Sequence, residues 1–452
     1  MTRRPLLIVV LAAGQGTRMK SALPKVLHKI GGRSMLAHVL AVAQELLPDA
    51  FSVVIGPGME AVHAEALAQV PAARVYVQAQ QRGTADALLA AREMLERHSG
   101  DVLVLYGDTP LLRVPTLQRL LARLDEGAQV AVLGFEAADA SGYGRLLTED
   151  GGWLRAIREE KDASEAERRI RLCNSGVMAL RLDDLLGVLG RIGSANAKGE
   201  FYLTDAVEIA RAGGARAAAV ACAEDEVMGI NARDELAAAE AIFQKRARLK
   251  VMREGATLIA PDTVWLSFDT KIGRDVVIEP NVFFGPGVTV EDGAEIKACC
   301  YIERARIGPS ARVGPFARLR PGADLGARVH VGNFVELKNV TLREGAKANH
   351  LSYLGDGEVG AEANIGAGTI FCNYDGFRKH RTEIGAGVFV GSNSTLVAPV
   401  GIGDGAYIAA GSVITENVAP DALAFGRARQ AVKDGRAKEL RARLKAVKSG
   451  SR

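Results

Sequence analysis

An aliphatic or aromatic residue recurs at every sixth position through most of the second half of the chain. The hexad positions form four runs, which are Ile272, Ile278, Phe284, Val290, Ile296 and Ile302; Ile307, Val313, Leu319, Leu325, Val331 and Leu337; Val359, Ile365 and Phe371; and Ile384, Val390, Leu396, Ile402, Ile408 and Ile414. Neither the period of a helix nor that of an ordinary strand produces this spacing. It is typical of hexapeptide repeats, in which each repeat forms a short strand and a turn and adds one apolar side chain to a narrow core. The pattern therefore predicts a parallel β-helix from about residue 257 to residue 416.

Before residue 230, short apolar runs alternate with amphipathic stretches. Buried strands are predicted at Leu6–Leu11, Ser52–Ile55, Arg74–Val77 and Val102–Tyr106, with helices at Met35–Leu47 and Ala85–His98. The first run is too short for a secretion signal and leads into a glycine-rich loop. The alternation indicates a Rossmann-like α/β domain, whose mostly parallel sheet is covered by helices on both faces. Ligands in such folds collect at the carboxyl ends of strands, where loops 12–25 and 107–110 fall.

These patterns divide the chain into four segments. The α/β domain is expected at residues 1–230, a linker helix at 231–254, the β-helix domain at 255–437 and a basic tail at 438–452. The linker is rich in Ala, Glu, Arg and Lys, and its helical period places Leu236, Ala239, Phe243 and Ala247 on one face. The tail is expected to be a solvated end rather than a binding arm.

Composition argues against several classes of function. The chain has 452 residues, 48% of them hydrophobic, and a formal net charge of only +4, which gives no case for nucleic-acid binding. No segment approaches the roughly 20 apolar residues that span a bilayer, so no membrane insertion is expected. The five cysteines show no metal-ligand spacing. Their odd number in a long chain favours reduced thiols and a cytoplasmic location.

A glycine-rich string, Leu11–Met19, directly follows the first predicted strand. Glycines let the backbone approach a phosphate, and exposed N–H groups form an anion-binding nest. Arg18 and Lys25 add positive charge. The spacing matches neither a Walker A motif nor a dinucleotide-binding fingerprint. The string therefore predicts another kind of phosphate-binding loop, the alternative being an ordinary glycine-rich turn.

Further short motifs follow this loop in a fixed order. They are Gln78, Gly83-Thr84, Tyr106-Gly107-Asp108, Gly142-Tyr143-Gly144-Arg145, Glu159-Glu160-Lys161-Asp162, Asn174-Ser175-Gly176 and Gly229-Ile230-Asn231. Together they resemble the sugar-nucleotide pyrophosphorylases. With the hexapeptide repeats, the chain is similar, up to about residue 430, to the bifunctional family that joins an N-acetylglucosamine-1-phosphate uridyltransferase to a glucosamine-1-phosphate acetyltransferase. That resemblance implies synthesis of UDP-N-acetylglucosamine, a precursor of bacterial envelope polymers.

The resemblance also implies the residues of the nucleotidyltransferase site. UTP and N-acetylglucosamine 1-phosphate would be bound by Leu11, Ala12, Ala13, Gly14, Arg18, Lys25, Tyr106 and Gly107, with Gln78, Gly83 and Thr84 at the uracil and Gly144, Glu159 and Asn174 at the sugar. Asp108 and Asn231 would hold Mg²⁺. Phosphoryl-type transfer needs positioned groups and charge neutralisation rather than a protein nucleophile. Two alternatives stay open, because Asp108 could merely cap a strand end and Glu160 could take the place of its neighbour Glu159.

The hexapeptide pattern is interrupted where chemistry is expected. Cys372–His380 is an insertion, and an insertion in a solenoid is usually a loop on the functional face. Before it, Ala348–Asp356 breaks the clean hexad register and contains His350. Histidine titrates near neutral pH, so it can take the proton of an attacking amine. His350 is therefore the candidate base of an acetyl transfer, and a structural histidine is the alternative.

The same resemblance implies the remaining acetyltransferase residues. Glucosamine 1-phosphate would be bound by Arg320, Lys338, Tyr353, Asn364 and Lys379, and acetyl-CoA by Ala367, Asn373, Tyr374, Ser392, Ala410 and Arg427. Cationic side chains are the expected ligands of phosphate. We expect the amine to attack the thioester directly, with Cys372 a small apolar residue rather than an acylated nucleophile. The family's coil is left-handed, and its members are homotrimers whose acetyltransferase sites lie between subunits.

Two other functions are compatible with parts of the pattern. The β-helix could serve only for oligomerisation or regulation beside a working pyrophosphorylase. The whole chain could also be a scaffold or regulatory subunit built from a degenerate pyrophosphorylase. His350, Lys338 and the insertion argue against the first alternative. The intact glycine-rich loop, together with Asp108 and Asn231, argues against the second.

Overall fold

A computed structural model describes residues 4–149 and 152–449, and within them the chain forms two compact units. The first unit contains the residues up to Lys250 together with Leu266–Phe268. The second contains Val251–Trp265 and the residues from Asp269 onward.

The first unit is an α/β domain. Its strands are β1 (Leu6–Ala12), β2 (Lys29–Ile30), β3 (Arg33–Ser34), β4 (Ala50–Ile55), β5 (Arg74–Val77), β6 (Asp101–Tyr106), β7 (Val130–Glu136), β8 (Arg145–Thr148), β9 (Leu154–Arg158), β10 (Leu172–Leu180) and β11 (Ala217–Cys222), and its helices are α1 (Met35–Gln44), α2 (Glu60–Gln69), α3 (Thr84–Ala90), α4 (Arg92–Arg97), α5 (Val114–Asp125), α6 (Glu165–Arg168), α7 (Leu185–Gly190), α8 (Ala206–Ala212) and α9 (Arg233–Arg253). The main sheet has the order β11-β7-β10-β6-β1-β4-β5, with the β8–β9 hairpin attached to β10. Only β10 runs antiparallel to its neighbours within that order.

Strand β1 shows why the sheet is covered on both sides. All seven of its residues are buried, and alternate side chains point to opposite faces of a strand. Ile8 and Val10 belong to one apolar core, whereas Leu7 and Val9 belong to a second core on the other face. The expectation of a buried first strand in a helix-covered sheet is confirmed.

Two of the predicted elements differ from those observed. Strand β5 was expected to be buried, but it is the edge strand, and Val77 is 54% exposed. An edge strand has a neighbour on one side only, so its apolar residues are less completely covered. The single helix expected over Ala85–His98 is two helices, α3 and α4, which meet at Ala91.

The linker helix predicted at 231–254 is observed as α9. Ala239 is fully buried, and Leu236 and Phe243 pack with it against the cluster that contains Ile30 and Met35. Three of the four residues predicted on one face therefore share this cluster, and the fourth, Ala247, is partly buried outside it. Most of the helix therefore packs on the α/β domain, to which it is assigned as far as Lys250.

The second unit is a parallel β-helix with a left-handed coil. Its strands are β12 (Thr257–Leu258), β13 (Lys271–Ile272), β14 (Val277–Ile278), β15 (Phe283–Phe284), β16 (Thr289–Val290), β17 (Glu295–Ile296), β18 (Tyr301–Ile302), β19 (Ala305–Ile307), β20 (Arg312–Val313), β21 (Arg318–Leu319), β22 (Ala323–Leu325), β23 (His330–Asn333), β24 (Glu336–Leu342), β25 (Lys347–His350), β26 (Tyr353–Val359), β27 (Asn364–Ile365), β28 (Ile370–Cys372), β29 (Thr382–Ile384), β30 (Phe389–Val390), β31 (Thr395–Val397), β32 (Val400–Ile402), β33 (Tyr407–Ile408), β34 (Val413–Ile414) and β35 (Leu423–Ala424). Ten of them, including β23, β25 and β27, form one sheet, and the other fourteen form a second sheet.

The strand register explains the hexad pattern. Residues 18 apart, such as Lys271 and Thr289, pair on successive coils, so each coil uses three hexads. Thr289 then pairs with Arg306, 17 residues on, and this shorter coil is the one-residue slip seen in the sequence. Every hexad residue is buried except Ile272, which lies on the terminal strand of its face. The period of six is therefore the period of the core.

Helix α10 (Arg436–Ser449) covers most of the basic segment near the end of the chain, and all of its residues are exposed. Among the described residues, no helix is both long and apolar enough to cross a membrane.

Candidate functional site

The first unit has a cleft of about 250 Å³ at the carboxyl ends of β1 and β6. Its lining residues are Leu11, Ala12, Ala13, Gly14, Lys25, Val26, Gln78, Gln81, Gly83, Thr84, Ala87, Tyr106, Asp108 and Glu200. Ten of these residues, all but Val26, Gln81, Ala87 and Glu200, belong to the set inferred from the family resemblance. They come from distant parts of the sequence, and the parallel sheet brings them to one edge.

A partly buried ion pair lies in the cleft. The Lys25 ammonium donates to Asp108 Oδ2 at 2.5 Å and to Asn231 Oδ1 at 2.9 Å. The backbone N–H of Ile230 also donates to the Asp108 carbonyl at 3.0 Å, which ties the two segments together. Gly16, with φ +65°, packs against the Lys25 side chain, where a Cβ would collide with it. The carboxylate and the amide oxygen thus converge on one cation.

A second group of residues forms the rim of the cleft near the start of α3. The Gln78 amide donates to the Gly83 carbonyl at 3.1 Å and to Asp86 Oδ2 at 3.0 Å, and it is almost completely buried. The Thr84 hydroxyl accepts from the Leu203 backbone N–H at 2.9 Å. These contacts fix the positions of Gln78, Gly83 and Thr84, the residues expected at the uracil.

Gly83 has a backbone conformation and surroundings that do not accommodate a side chain. Gly83→Ala should therefore weaken UTP binding and lower the free energy of unfolding. Gly83 has φ +130°, and a Cβ there would lie 2.5 Å from the carbonyl oxygen of Phe201. Strain of this kind costs about 1–3 kcal/mol. Calorimetric unfolding and isothermal titration with UTP would measure both effects. Gly58→Ala is the matched control, because Gly58 also has positive φ but open space around it. Equal effects of the two substitutions would contradict the steric argument.

Three of the expected sugar-binding residues also lie together. The Asn174 backbone N–H donates to the Gly144 carbonyl at 2.8 Å, and a Cβ on Gly144 would lie 3.3 Å from Glu159 Oε1. Burial raises the pKa of Glu159. The neighbouring Glu160 instead accepts from the Gly142 N–H and lies 3.8 Å from Arg145. Glu160 is thus held by a loop, while Glu159 faces the glycine.

Tyr106 lines the cleft between two groups of residues, those expected at the nucleotide and those expected at the sugar. Burial raises the pKa of its hydroxyl, which hydrogen-bonds Thr84. Gly176, with φ +89°, packs on the face of the ring, where a Cβ would lie 2.7 Å from a ring carbon. Gly107 packs against Ala12. Arg18, by contrast, is exposed and does not line the cleft.

In the β-helix, His350 lies at the end of β25 with an exposed side chain. Its Nδ1 donates to Asn333 Oδ1 at 2.8 Å. This hydrogen bond selects the tautomer in which Nε2 carries the free lone pair and can accept a proton. Asn333 lies one coil earlier and pairs with His350 in the strand register.

A column of small residues stacks on the same corner of the coil. The Gly368 N–H donates to the His350 carbonyl, the Asn393 N–H to Ala367 and the Gly411 N–H to Ser392. This column contains the expected acetyl-CoA residues Ala367, Ser392 and Ala410, and a Cβ on Gly411 would lie 3.8 Å from Arg427 Cδ. These stacked residues therefore extend along one corner of the coil from His350 to Arg427.

Three of the five expected sugar-phosphate residues, Lys338, Tyr353 and Lys379, lie in a separate polar cluster around Asp356. Lys338 Nζ lies 3.8 Å and Lys379 Nζ 3.9 Å from Asp356 Oδ2. Asn373 Nδ2 donates to the same oxygen at 2.5 Å and lies 3.4 Å from the Tyr353 hydroxyl. The adjacent Lys379 amino group lowers the pKa of Lys338. The insertion is thereby attached to the coil by residues near its two ends.

The remaining expected residues occupy other positions. Arg320 forms an ion pair with Glu336 at 2.7 Å, Asn364 is on β27, and Tyr374 is 60% exposed on the insertion. Lys338 and Tyr353 belong to the fourteen-stranded sheet, whereas His350 and Asn364 belong to the ten-stranded sheet. Within one chain, His350 and the cluster around Asp356 thus lie on different faces of the coil.

Sequence reasoning assigned no role to several residues that the structure places in the two sites. Gln81 lines the cleft and donates to the Ala13 carbonyl, and Glu200 also lines it. Asn333 could have been found from the coil length, since it lies 17 residues before His350. Asp356 ends the segment that breaks the hexad register, but its partners become apparent only once the coils are stacked.

Together these features define a nucleotidyltransferase domain joined to a hexapeptide-repeat transferase domain. Residues 8–172 match the model of the MobA-like NTP transferase domain, and residues 269–304 and 381–416 match that of the bacterial transferase hexapeptide (six repeats). Because the chain carries both, it is a bifunctional enzyme with nucleotidyltransferase and acetyltransferase activities, as the sequence predicted.

Full-length relatives identify the family. The chain is 61% identical to the bifunctional protein GlmU of Azorhizobium caulinodans and 59% identical to that of Xanthobacter autotrophicus, covering 98% of both chains in each case. It is 55% identical to the GlmU of Bradyrhizobium sp., covering 99% of this chain and 100% of that protein. The chain belongs to the GlmU family. Its substrates are small molecules, and its nucleotidyltransferase domain is of a kind that needs a divalent metal.

Proposed function

We propose that the second unit acetylates glucosamine 1-phosphate with acetyl-CoA and that the first unit then transfers UMP from UTP to the product. UDP-N-acetylglucosamine and pyrophosphate would result. One observation carries this proposal: each unit contains the groups that its reaction needs. In the first unit, the oxygens of Asp108 and Asn231 converge on Lys25 at a cleft. In the second unit, a histidine held by an amide lies on one face of the coil, and two lysines gather around one carboxylate on another.

In the first unit, Lys25 and the backbone of Leu11–Gly14 would bind the phosphates of UTP. Gln78, Gly83 and Thr84 would hold uracil at the rim of the cleft. The sugar-phosphate oxygen would attack the α-phosphorus, and pyrophosphate would leave on the opposite side. The chain contributes position and charge to this step rather than a covalent nucleophile.

The donor atoms at the base of the cleft fit Mg²⁺. The ion prefers oxygen ligands and is usually held by one or two carboxylates together with substrate phosphates and water. Asp108 and Asn231 supply a carboxylate and an amide oxygen that already face one cation, the Lys25 ammonium. Mg²⁺ bound by them would neutralise charge on the triphosphate.

In the second unit, His350 Nε2 would take the proton of the sugar amine as the amine attacks the thioester carbonyl. The Asn333 amide keeps the ring in the required tautomer. Lys338, Lys379 and Arg320 would bind the phosphate of the sugar, and the column ending at Arg427 would bind acetyl-CoA. The imidazolium would then give this proton to the departing CoA sulfur as the C–S bond breaks, so that CoA leaves as its thiol. Because the amine attacks the thioester directly, no acyl-enzyme is required.

We infer a homotrimer for the acetyltransferase. The base and the lysine cluster lie on different faces of the coil, and a second subunit packed along the coil could complete the site. Exposed stacked aromatic pairs, such as Phe316 with Phe334 and Phe389 with Tyr407, repeat along the coil and could supply apolar contact area.

The proposed pair of reactions predicts two independent assays on one protein. Thiol release from acetyl-CoA should require glucosamine 1-phosphate, and pyrophosphate release from UTP should require N-acetylglucosamine 1-phosphate and Mg²⁺. The first would be followed with a thiol reagent and the second with a coupled phosphate assay. Omission of each sugar phosphate is the control. Absence of sugar-dependent thiol release from a trimeric preparation would contradict the proposed acetyl transfer.

A further inference from the structure

Asp356 is an almost completely buried carboxylate of the β-helix unit, and it lies outside the residues assigned to either substrate. Its Oδ1 accepts from Asn339 Nδ2 at 2.8 Å and its Oδ2 from Asn373 Nδ2 at 2.5 Å. Lys338 and Lys379 lie within 4 Å of the same Oδ2. Only 7% of the residue is exposed. Both oxygens are therefore occupied by donors, and solvent has little access.

These contacts keep the Asp356 carboxylate ionised. Burial alone would raise its pKa, but hydrogen bonds from Asn339 and Asn373 and the positive charges of both lysines outweigh that effect and lower the pKa. The side chain is thus an anion at neutral pH, and it faces two cations that would otherwise repel each other. A buried charge of this kind is favourable only while its partners stay in place.

Asp356 and its four partners come from three separate segments of the chain. Lys338 and Asn339 lie on β24, Asp356 lies one coil later on β26, and Asn373 and Lys379 are near the two ends of the insertion. Gly355 makes the approach possible, because a Cβ there would lie 2.6 Å from the Tyr353 hydroxyl and 2.7 Å from Asn373 Nδ2. One carboxylate therefore connects the insertion to the coil.

We propose that Asp356 is a positioning residue of the acetyltransferase, which fixes the ammonium groups of Lys338 and Lys379 for the sugar phosphate and holds the insertion on the coil through Asn373. The inference rests on the proposed acetyl transfer. Asp356 does not contact the substrate, because an anion exposed to the phosphate would repel it. It lies behind the lysines and sets their spacing.

The test is Asp356→Asn in the full-length protein. Asp356 has φ +53°, a conformation that asparagine also tolerates, so the substitution removes the charge with little backbone strain. We expect kcat/KM for glucosamine 1-phosphate to fall ~10–100-fold, since misplaced binding groups have effects of this order. Most of the loss should be in KM for the sugar phosphate, and the inhibition constant of inorganic phosphate should rise in parallel. Pyrophosphate release should be unchanged.

Two further variants separate positioning from folding. Glu358→Gln removes a carboxylate from the same strand, one that pairs with Arg343 at 2.6 Å. This variant should leave KM for the sugar phosphate and the inhibition constant of inorganic phosphate unchanged. Asp356→Glu keeps the charge and should recover part of the phosphate affinity. A loss of thermal stability and kcat without any change in KM or phosphate inhibition would show a merely structural role and overturn the proposal. So would wild-type kinetics in Asp356→Asn.

The proposed function and this inference fail in different ways. If the unmodified protein released no thiol with glucosamine 1-phosphate, the proposed acetyl transfer would be wrong. If the unmodified protein did release thiol and Asp356→Asn behaved identically, only the role of Asp356 would be wrong. Trypsin gives a readout independent of activity, because cleavage after Arg378 and Lys379 should become faster when the insertion loses its attachment. An unchanged cleavage rate in Asp356→Asn would overturn the attachment of the insertion.

Discussion

Replacement of His350 by alanine is expected to slow acetyl transfer by ~10²–10⁴-fold, the usual contribution of a positioned general base. The amine must lose a proton as it attacks, and in the described chain His350 is the imidazole whose Nδ1 is held by an amide oxygen while Nε2 stays free. The side chain is exposed, so its removal leaves no buried cavity and stability should change little. Single-turnover thiol release would measure the effect on the chemical step.

The comparison variant for His350 is His330→Ala. His330 is on β23 of the same sheet, pairs in register with Arg312 and Lys347, and lies outside the proposed site. The substitution His330→Ala should leave acetyl transfer within about twofold of the unmodified protein, because substitutions outside a functional site usually have small effects. Asn333→Ala should produce an intermediate loss, since the base would survive without its orienting partner. Near-normal acetylation by His350→Ala would remove His350 from the mechanism.

Asp108→Asn should reduce pyrophosphate release by at least about 10²–10³-fold, comparable with the loss of a group that stabilises transition-state charge. The substitution keeps an oxygen that can accept from Lys25, but it removes the only carboxylate of the proposed Mg²⁺ pair. Acetyl transfer should remain within about twofold, because its residues are in the other unit. Parallel assays of both reactions on the same preparation would measure the separation.

Metal binding provides a second measurement on Asp108→Asn. Titration with Mn²⁺, followed by electron paramagnetic resonance, should show weaker binding in the presence of UTP than for the unmodified protein. Asp125→Ala is a suitable control, since it removes a largely exposed aspartate that does not line the cleft. Equal loss of both reactions in Asp108→Asn would contradict the model of two independent sites, and unchanged Mn²⁺ binding would remove Asp108 from the metal site.

The β-helix could be predicted from the sequence because its core has a one-dimensional repeat. Each hexad places one side chain in the core, so the buried positions can be predicted from their spacing in the sequence. Even the short coil between Thr289 and Arg306 is visible in the sequence as a slip in the register. The one hexad residue that is only partly buried, Ile272, lies on the strand at the end of its stack. The α/β domain was also recognisable, but the edge position of β5 was not, because a run such as Arg74–Val77 is similar whether a strand has one neighbour or two.

The candidate sites were predictable to different degrees. The glycine-rich loop, Asp108 and His350 occur in motifs whose resemblance to a known family assigned them in advance, and their roles stay predictions until the substitutions are made. Gln81 and Asp356 were not assigned, because their importance depends on partners distant in sequence. The cluster around Asp356 forms only when two coils and both ends of the insertion are brought together.

The sequence by itself determined the two-part architecture, the family and the order of the reactive segments, because periodicity and short motifs are local properties of a chain. Only the tertiary structure decided that Lys25 lies between the Asp108 and Asn231 oxygens, that Asn333 orients His350, and that one buried carboxylate holds two lysines and a loop. Hydrogen bonds and ion pairs depend on distances of a few ångströms between remote residues, and those distances exist only after the chain has folded.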